Sequence, residues 1–231
     1  MPVVSTAELL AHFETVDPVM AALVRAAGPY TLGATPRPSV YESLARSIAG
    51  QQLSGAVARR ILERLEELFN GKFPTPAQLA AAEVAALRSV GFSQAKVTAL
   101  QDLAAHCLDG RLADDATLAT LDDETVIEHC CSVRGIGRWT AEMLLMFQLQ
   151  RPDVLPVGDY GVCNGFKLAY GLKALPQPKA LAAWGKRWSP YRSAAAWYLW
   201  RAVDLHRATQ LPARTGRAPR VLQVKPKAPK T

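Results

Sequence analysis

The chain has 231 residues, of which 49% are hydrophobic and 20% charged, and its formal net charge is +7. These values indicate a globular body with a substantial core and exclude a largely disordered chain. No run of about 18 apolar residues is present, so we expect no transmembrane helix and no contact with a membrane. The segment Met1–Ser5 lacks the basic and apolar regions of a signal peptide, so the expected location is the cytoplasm.

The positive charge is concentrated near the end of the chain. Residues 207–231 contain four Arg and three Lys and no acidic residue, so residues 1–206 are close to neutral. We predict that this Pro-rich segment is a basic, disordered tail. Two interpretations remain open: the tail adds a salt-dependent attraction to phosphate groups, or it only keeps the end of the chain soluble.

Helical signals dominate the first part of the chain. Residues 5–28 predict one or two short helices, with Asp17 as an internal cap. Residues 39–69 predict two long helices, the first capped by Ser39 with Glu42 as its partner in a capping box.

The connection between these two long helices is polar and reads Gly50-Gln51-Gln52-Leu53-Ser54. Its glycine is suited to end the first helix and its serine to cap the second. Two adjacent glutamines and a leucine on an exposed loop are able to touch the bases of a nucleic acid. The alternative is an ordinary polar turn with Leu53 tucked inward.

Further caps divide the middle of the chain. Thr75, Ser93 and Asp122 each predict the start of a helix, the last of which reaches about Cys131. Residues 112–121 are predicted to be a short connector.

The C-terminal part continues the helical pattern. An extended, Pro-punctuated loop at 151–159 precedes helices predicted at 160–170, 180–188 and 191–206. Because β-branched runs with a period of two residues are absent, we predict an all-α fold of roughly ten helices.

The segment VRGIGRWTA at residues 133–141 places Gly135 and Gly137 between two helices. Glycine lacks a Cβ, so such a turn is able to point backbone N–H groups at an anion. Arg138 and Thr140 at the start of the next helix favour phosphate as that anion. The alternative is a simple helix–helix turn of an α-bundle.

Asp159 lies between the extended loop and a predicted helix. Its position predicts an N-cap, and capping alone would explain the residue. The functional alternative is a general base or an electrostatic stabiliser, and one carboxylate can fill both roles.

Aromatic residues are frequent in the second half of the chain. Core packing is their ordinary role, and the alternative is a pocket that stacks on a flipped, cationic base. The tryptophans are Trp139, Trp184, Trp188, Trp197 and Trp200.

Several motifs then occur in a consistent order. They are VRGIGRWTAEMLL at 133–145, RPDVLPVGD at 151–159 and WSPYRSAAAWYLW at 188–200, with IAGQQLS at 48–54 and GFSQAK at 91–96. Across most of residues 10–205 the chain resembles the 3-methyladenine DNA glycosylase II family of the helix-hairpin-helix superfamily.

This resemblance implies a two-lobed, all-α bundle with an active-site cleft between the lobes. It suggests N-terminal helices at 1–38 that pack on the second lobe, a helical lobe at 39–132, a hairpin and catalytic lobe at 133–206, and the tail.

The resemblance also implies roles for individual residues. Asp159 matches the catalytic aspartate of the family. The pocket for the substrate base is expected to contain Trp139, Met143, Tyr191 and Trp200. The DNA-binding residues are expected to be Gln52, Leu53, Arg134, Gly135, Gly137, Arg138 and Thr140. Backbone carbonyls of Cys131, Val133 and Ile136 match positions that hold a monovalent cation in relatives.

Some positions depart from the family pattern. Position 134 is often Pro in such hairpins, and here Arg134 is a further candidate for phosphate contact. Tyr160 stands where relatives often have Leu, and Cys163 and Asn164 stand in place of a basic pair. Lyase-type relatives carry Lys where Trp139 stands, so the resemblance implies a monofunctional enzyme that uses water.

The cysteines have no cluster pattern. Cys107, Cys130, Cys131 and Cys163 fit neither a disulfide framework nor a zinc site, and we expect free thiols. The lack of a C-terminal four-Cys cluster implies no iron–sulfur centre, and no cofactor is expected to be required.

The implied function is the removal of alkylated purines, such as 3-methyladenine and 7-methylguanine, from double-stranded DNA by a monomeric enzyme, associated with the nucleoid in a bacterium. Two alternatives remain open: a glycosylase for hypoxanthine, ethenoadenine or 1-methyladenine, and a non-catalytic helix-hairpin-helix DNA-binding protein.

Overall fold

The computed structural model describes residues 4–32 and 38–210. Every regular element in these ranges is helical, which confirms the predicted all-α class. In the described residues, no helix is both long and apolar enough to cross a bilayer. The α-helices are α1 (Thr6–Val16), α2 (Pro18–Ala27), α3 (Val40–Gly50), α4 (Gly55–Leu68), α5 (Pro76–Ala81), α6 (Val84–Ser89), α7 (Gln94–Leu108), α8 (Asp115–Thr120), α9 (Asp123–Cys131), α10 (Arg138–Met143), α11 (Tyr160–Ala169), α12 (Pro178–Gly185) and α13 (Arg192–Gln210).

The chain forms two compact units. Unit 1 comprises Met1–Ala34 and Arg151–Thr231, and unit 2 comprises Thr35–Gln150. Unit 1 therefore contains α1, α2 and α11 to α13, with α2 packed against α13. Unit 2 contains α3 to α10, with α7 packed against α3 and α5.

Most of the predicted helix starts are confirmed by capping hydrogen bonds. The side chains of Asp17, Ser39, Ser54 and Ser93 each accept a hydrogen bond from a backbone N–H in the first turn of the following helix. These bonds satisfy donors that the helix itself leaves without a partner. Local sequence signals thus determine where the helices begin.

The capping box predicted at the start of α3 forms only in part: Ser39 caps the helix, but Glu42 does not return the hydrogen bond. Glu42 does not complete a capping box at Ser39, because its carboxylate accepts a hydrogen bond from Arg46 Nε at 2.8 Å, one turn further along α3. A complete capping box forms instead at Ser5 with Glu8.

The connector predicted at 112–121 contains a helix, α8. Asp114 accepts a hydrogen bond from the Thr117 N–H at 2.8 Å, which caps this short element. The last helix also extends to Gln210 and so includes the first residues of the predicted tail. Residues 211–231 of that tail lie outside the described residues.

The turn at residues 133–137, which we call the hairpin, belongs to unit 2. The sequence-based lobe boundary at residue 133 instead places it in the same lobe as Asp159. Two hydrogen bonds give the physical reason. Gln51 Nε2 donates to the Gly135 carbonyl at 2.8 Å, and the Arg134 N–H donates to Asp102 Oδ2 at 2.7 Å. The hairpin is therefore fixed to the end of α3 and to α7.

A buried carboxylate organises the core of unit 1. Asp17 is only 3% exposed. Its Oδ1 atom caps α2, and its Oδ2 atom accepts hydrogen bonds from the Tyr170 hydroxyl at 2.6 Å and the indole N–H groups of Trp188 at 2.9 Å and Trp184 at 3.2 Å. Burial and the neighbouring carboxylate raise the pKa of Tyr170, so its hydroxyl remains a donor. Trp184 and Trp188 therefore act as hydrogen-bond donors to a structural carboxylate.

Helices α11 and α13 approach each other unusually closely. At Gly165 of α11, an added Cβ would lie 1.9 Å from the Leu199 carbonyl oxygen of α13, far inside any real contact distance. The two backbones are able to meet only because this residue has no side chain. The contact sets the spacing between the start of α11 and the middle of α13.

We predict that Gly165→Ala destabilises the protein, because the added methyl group forces α11 and α13 apart. Overpacking of this kind typically costs about 1–3 kcal/mol, which chemical or thermal unfolding will measure. Gly55→Ala is the matched control, since nothing lies within 4 Å of a Cβ at that helical position. The control should be neutral or slightly stabilising, and equal losses in both variants would contradict the packing argument.

Candidate functional site

Asp159 is the N-cap of α11, as the sequence predicts. Its Oδ1 atom accepts two hydrogen bonds, one from the Val162 N–H at 2.7 Å and one from Trp200 Nε1 at 2.8 Å. The side chains of Asp159 and Trp200 are both partly buried. The carboxylate is therefore held by its own helix and by a second helix, α13, so its orientation is fixed in two directions.

Gly161 is a site residue that the sequence analysis misses. An added Cβ there would lie 2.7 Å from Trp200 Cδ1, 2.9 Å from Trp200 Nε1 and 3.0 Å from Asp159 Oδ1. Any larger residue would push the indole away from the carboxylate. Two glycines four residues apart at the start of a helix, Gly161 and Gly165, are a signal for close helix packing that would have found it.

The loop before Asp159 is fastened to the start of α13. Asp153 accepts hydrogen bonds from Arg192 Nε at 2.8 Å and Arg192 Nη2 at 2.9 Å, a two-pronged ion pair, and from the Ser189 hydroxyl at 2.7 Å. Ser193, which is 1% exposed, donates from its hydroxyl to the Arg151 carbonyl at 2.6 Å and accepts from the Val154 N–H at 2.9 Å. We call this group the clasp; it sets the register between the loop and the helix that carries Trp200.

The other predicted pocket residues have different surroundings. Tyr191 in unit 1 makes an edge-on ring contact with His12, with the ring centroids 5.1 Å apart. Trp139 and Met143 belong to α10 in unit 2, and the Trp139 side chain is 50% exposed. The described structure thus brings Asp159 and Trp200 into direct contact within one unit.

Trp197, three residues before Trp200, has the packing role. Its ring lies edge-on to Tyr30 with the centroids 5.3 Å apart, and the Arg201 guanidinium lies 5.3 Å from its centroid. Trp184 and Trp188 donate to the buried carboxylate of Asp17, whereas Trp200 donates to Asp159.

The hairpin has the turn geometry that the sequence predicts. Gly135 has a φ of +82°, a conformation that favours glycine, and Gly137 is the N-cap of α10. Within the described residues, no acceptor bonds to the N–H groups of Gly135 or Gly137, and both residues are exposed. The turn is therefore able to present these two donors to an anion.

The side chains around the hairpin differ in their availability. Arg134 is exposed, while its backbone N–H is held by Asp102. The Arg138 guanidinium makes a bidentate ion pair with Glu124, at 2.5 and 2.9 Å, and also contacts Glu142 at 3.2 Å. Thr140 is only 6% exposed, so its side chain lies in the interior. Arg134 is consequently the better placed of these residues to meet a phosphate.

The resemblance assigns a cation to the backbone carbonyls of Cys131, Val133 and Ile136. Carbonyl oxygens are hard donors that suit alkali and alkaline-earth ions. The Val133 carbonyl already accepts a hydrogen bond from the Ile136 N–H at 3.1 Å, which leaves one lone pair for a ligand. Among the described residues, no cluster of His, Cys, Asp or Glu has the form of a metal site. All four cysteines are free thiols, as predicted.

The connection between α3 and α4 is exposed at its tip. Gln52 has a φ of +58°, in the left-handed region that non-glycine residues rarely adopt, and the Leu53 side chain is 38% exposed. The structure therefore differs from the alternative in which Leu53 is tucked inward.

A family model described as HhH-GPD superfamily base excision DNA repair protein matches residues 45–190, more than half of the chain. The chain belongs to this superfamily. The HhH-GPD match spans the connection between α3 and α4, the hairpin, Asp159 and the clasp residues up to Ser189.

Similar proteins place the chain more narrowly within the HhH-GPD superfamily. DNA-3-methyladenine glycosylase 1 of Schizosaccharomyces pombe is 34% identical over 196 residues, which cover 84% of this chain and 86% of that protein. A DNA-3-methyladenine glycosidase structure from Bacillus halodurans matches with a TM-score of 0.81 at 36% identity, covering 90% of this chain and 95% of that one.

A structure of the Schizosaccharomyces pombe 3-methyladenine DNA glycosylase in complex with abasic DNA matches with a TM-score of 0.74 at 33% identity, covering 84% and 95% of the two chains. These likenesses confirm the resemblance to the 3-methyladenine DNA glycosylases.

Because the clasp contains a partly buried ion pair, we predict that the stability of the folded protein depends on pH. Burial alone would raise the pKa of Asp153, but the hydrogen bonds from Arg192 and Ser189 outweigh it and hold the pKa below its usual value of 3.8. A lowered carboxyl pKa stabilises the folded state above the unfolded-state pKa, and this contribution is lost as the pH falls through the folded-state pKa. We expect Asp153→Asn to lower the melting temperature at pH 7.

The difference from wild type should shrink as the pH is lowered below about 4. Thermal melts of both proteins between pH 7 and pH 3 measure it. Glu14→Gln is a useful comparison, since Glu14 makes an exposed ion pair with Arg25 and exposed pairs contribute little. A loss for Asp153→Asn that stays constant with pH would show that the ion pair is not its cause.

Proposed function

We propose that this chain is a DNA glycosylase that hydrolyses the N-glycosidic bond of alkylated purines such as 3-methyladenine and 7-methylguanine. The observation that carries the proposal is the Asp159 carboxylate, which Val162 and Trp200 hold in a fixed orientation. The relatives named 3-methyladenine glycosylases, one of them in complex with abasic DNA, support this substrate class.

Asp159 suits the chemistry of glycosidic bond cleavage. Alkylation at N3 or N7 makes the purine cationic, so the base leaves with the electron pair of the glycosidic bond and needs little acid catalysis. Positive charge develops on the sugar as the bond breaks. A carboxylate that is already oriented stabilises this charge without reorganising at the moment of reaction.

Water completes the reaction. Its oxygen bonds to C1′ of the sugar, and its released proton passes to Asp159 or to solvent. Trp139 stands where lyase-type relatives carry a nucleophilic Lys, and an indole has no amine that attacks the sugar. This substitution supports a monofunctional enzyme.

Aromatic faces explain a preference for cationic bases. Trp139 and Trp200 are our candidates for the stacking residues, with Met143 and Tyr191 as further pocket residues. The attraction of a cation to an aromatic face is worth about 0.5–2 kcal/mol, more when the site excludes water. Because this preference is modest, leaving-group ability supplies much of the selectivity, and we expect a broad range of alkylated purines.

Unit 2 supplies the proposed contacts to double-stranded DNA. The N–H groups of Gly135 and Gly137, with the Arg134 guanidinium, are our candidates for binding phosphate. Gln52 and Leu53 are our candidates for filling the gap left by the extruded nucleotide. A monovalent cation held by the carbonyls of the hairpin would add positive charge near the phosphate. We propose that the enzyme acts as a monomer.

The central prediction is that Asp159→Asn lowers the rate of base release from methylated duplex DNA by about 100-fold or more. Asparagine caps helices as well as aspartate does, so the fold should be retained. The measurement is the release of 3-methyladenine and 7-methylguanine under single-turnover conditions. Asp114→Asn, which makes the same change at the cap of α8, is the control and should leave the rate unchanged.

A near-wild-type rate for Asp159→Asn with unchanged DNA binding would mean that Asp159 is only a cap. If wild type itself binds DNA but releases no base from a panel of alkylated, deaminated and oxidised substrates, the chain is a non-catalytic binding module.

The hydrogen bond from Trp200 to Asp159 predicts a second effect. Trp200→Phe keeps an aromatic face but removes the N–H donor to Asp159 Oδ1. Misplaced catalytic groups lose large factors in rate, so we expect kcat to fall roughly tenfold or more while KM changes little. Trp197→Phe on the same helix is the matched control and should keep its rate. A rise in KM with unchanged kcat would instead assign Trp200 to base stacking alone.

A further inference from the structure

The loop between α3 and α4 adopts a conformation that needs external support. Its tip is formed by Gln52, with a φ of +58°, and the exposed Leu53. A left-handed conformation is unfavourable for a non-glycine residue, because its Cβ crowds the neighbouring carbonyl oxygen. Such a conformation persists only when the surrounding structure holds it.

Lys96 supplies part of that support. Its ammonium group donates hydrogen bonds to the carbonyls of Ala49 at 2.7 Å and Gln51 at 2.8 Å. Carbonyls at the C-terminal end of a helix carry partial negative charge and lack partners within the helix. One cation on α7 therefore caps the end of α3 and fixes the residue immediately before Gln52.

This placement is unfavourable for Lys96 and for its own helix. Lys96 lies in the first turn of α7, near the positive end of the helix dipole, where a cation is disfavoured. Burial also lowers the pKa of Lys96. The benefit of the cation therefore lies in its contacts with the end of α3.

Gln51 supplies the other part of the support. Its backbone carbonyl accepts from Lys96, and its side-chain amide donates to the Gly135 carbonyl in the hairpin at 2.8 Å. The backbone and the side chain of one residue are thus both fixed. As a result, the tip of the loop has a defined position relative to the hairpin.

We propose that Lys96 is a positioning residue that, through Gln51, holds the Gln52–Leu53 tip in the conformation that enters the duplex when a nucleotide is extruded. The inference rests on the proposed glycosylase function and goes beyond it, because it assigns the control of extrusion to a residue outside the catalytic unit. Ordering a loop during binding costs free energy. Because the tip is already ordered in the free protein, this cost does not reduce the free energy that drives extrusion.

This role has a signature that a purely structural role lacks. Extrusion from a paired duplex needs the tip to replace the departing base, whereas a base in single-stranded DNA is already unpaired. Loss of Lys96 should therefore slow base release from duplex DNA far more than from single-stranded DNA of the same sequence.

The experiment compares the full-length wild type with Lys96→Met, which removes the ammonium group at similar volume, and with Lys96→Arg, which keeps a cationic donor. Single-turnover release of 7-methylguanine is measured on matched duplex and single-stranded oligonucleotides. Lys72→Met is the control, since it makes the same change at an exposed lysine outside the loop, the hairpin and α7.

We expect Lys96→Met to lower the ratio of duplex to single-strand rates about tenfold, Lys96→Arg to restore most of it, and Lys72→Met to leave it unchanged. The fluorescence of 2-aminopurine placed beside the lesion should also show reduced unstacking by Lys96→Met at saturating enzyme. An equal loss on both substrates, or an unchanged ratio, would overturn the proposal. A wild type that releases no base from either substrate would refute the glycosylase function instead.

Discussion

The contact between α11 and α13 is the constraint on which the candidate active site depends. It exists because Gly165 leaves room for the Leu199 carbonyl, and it brings the N-terminus of one helix beside the middle of the other. Asp159 at that N-terminus and Trp200 on the facing helix are then within hydrogen-bond distance. The clasp and the Asp17 network reinforce this arrangement. The clasp ties the loop before α11 to the start of α13, and Asp17 ties the start of α2 to Tyr170 at the end of α11.

Much of the fold could be predicted from local sequence signals. Ser39, Ser54, Ser93 and Asp159 are caps in the structure as expected, because a cap depends only on a side chain and the three residues after it. Helix α8 was missed for the opposite reason: a short element has little periodicity to detect, and only Asp114 marks its start.

The contacts that form the site could not be predicted in the same way. The bonds from Lys96 to the end of α3 and from Trp200 to Asp159 join residues more than 40 positions apart, and spacing alone does not encode such pairs. Arg138 illustrates the limit, since its position favours phosphate binding, whereas two carboxylates of its own unit already surround it. The family resemblance suggested the roles of Asp159 and Trp200, and the structure adds how each is held.

The bond between the Arg134 N–H and Asp102 has a consequence for how the hairpin varies. Similar hairpins often carry Pro at this position, and proline has no N–H to donate. Where Pro occurs, a carboxylate at the position of Asp102 would lose this partner and gain nothing from the hairpin. The two positions are therefore expected to change together: an acidic residue on α7 accompanies a hairpin residue with an N–H, and a different residue accompanies Pro. In this chain residue 134 therefore does two things: its N–H fastens the turn to α7, and its exposed guanidinium remains free of that task and is our proposed contact to phosphate.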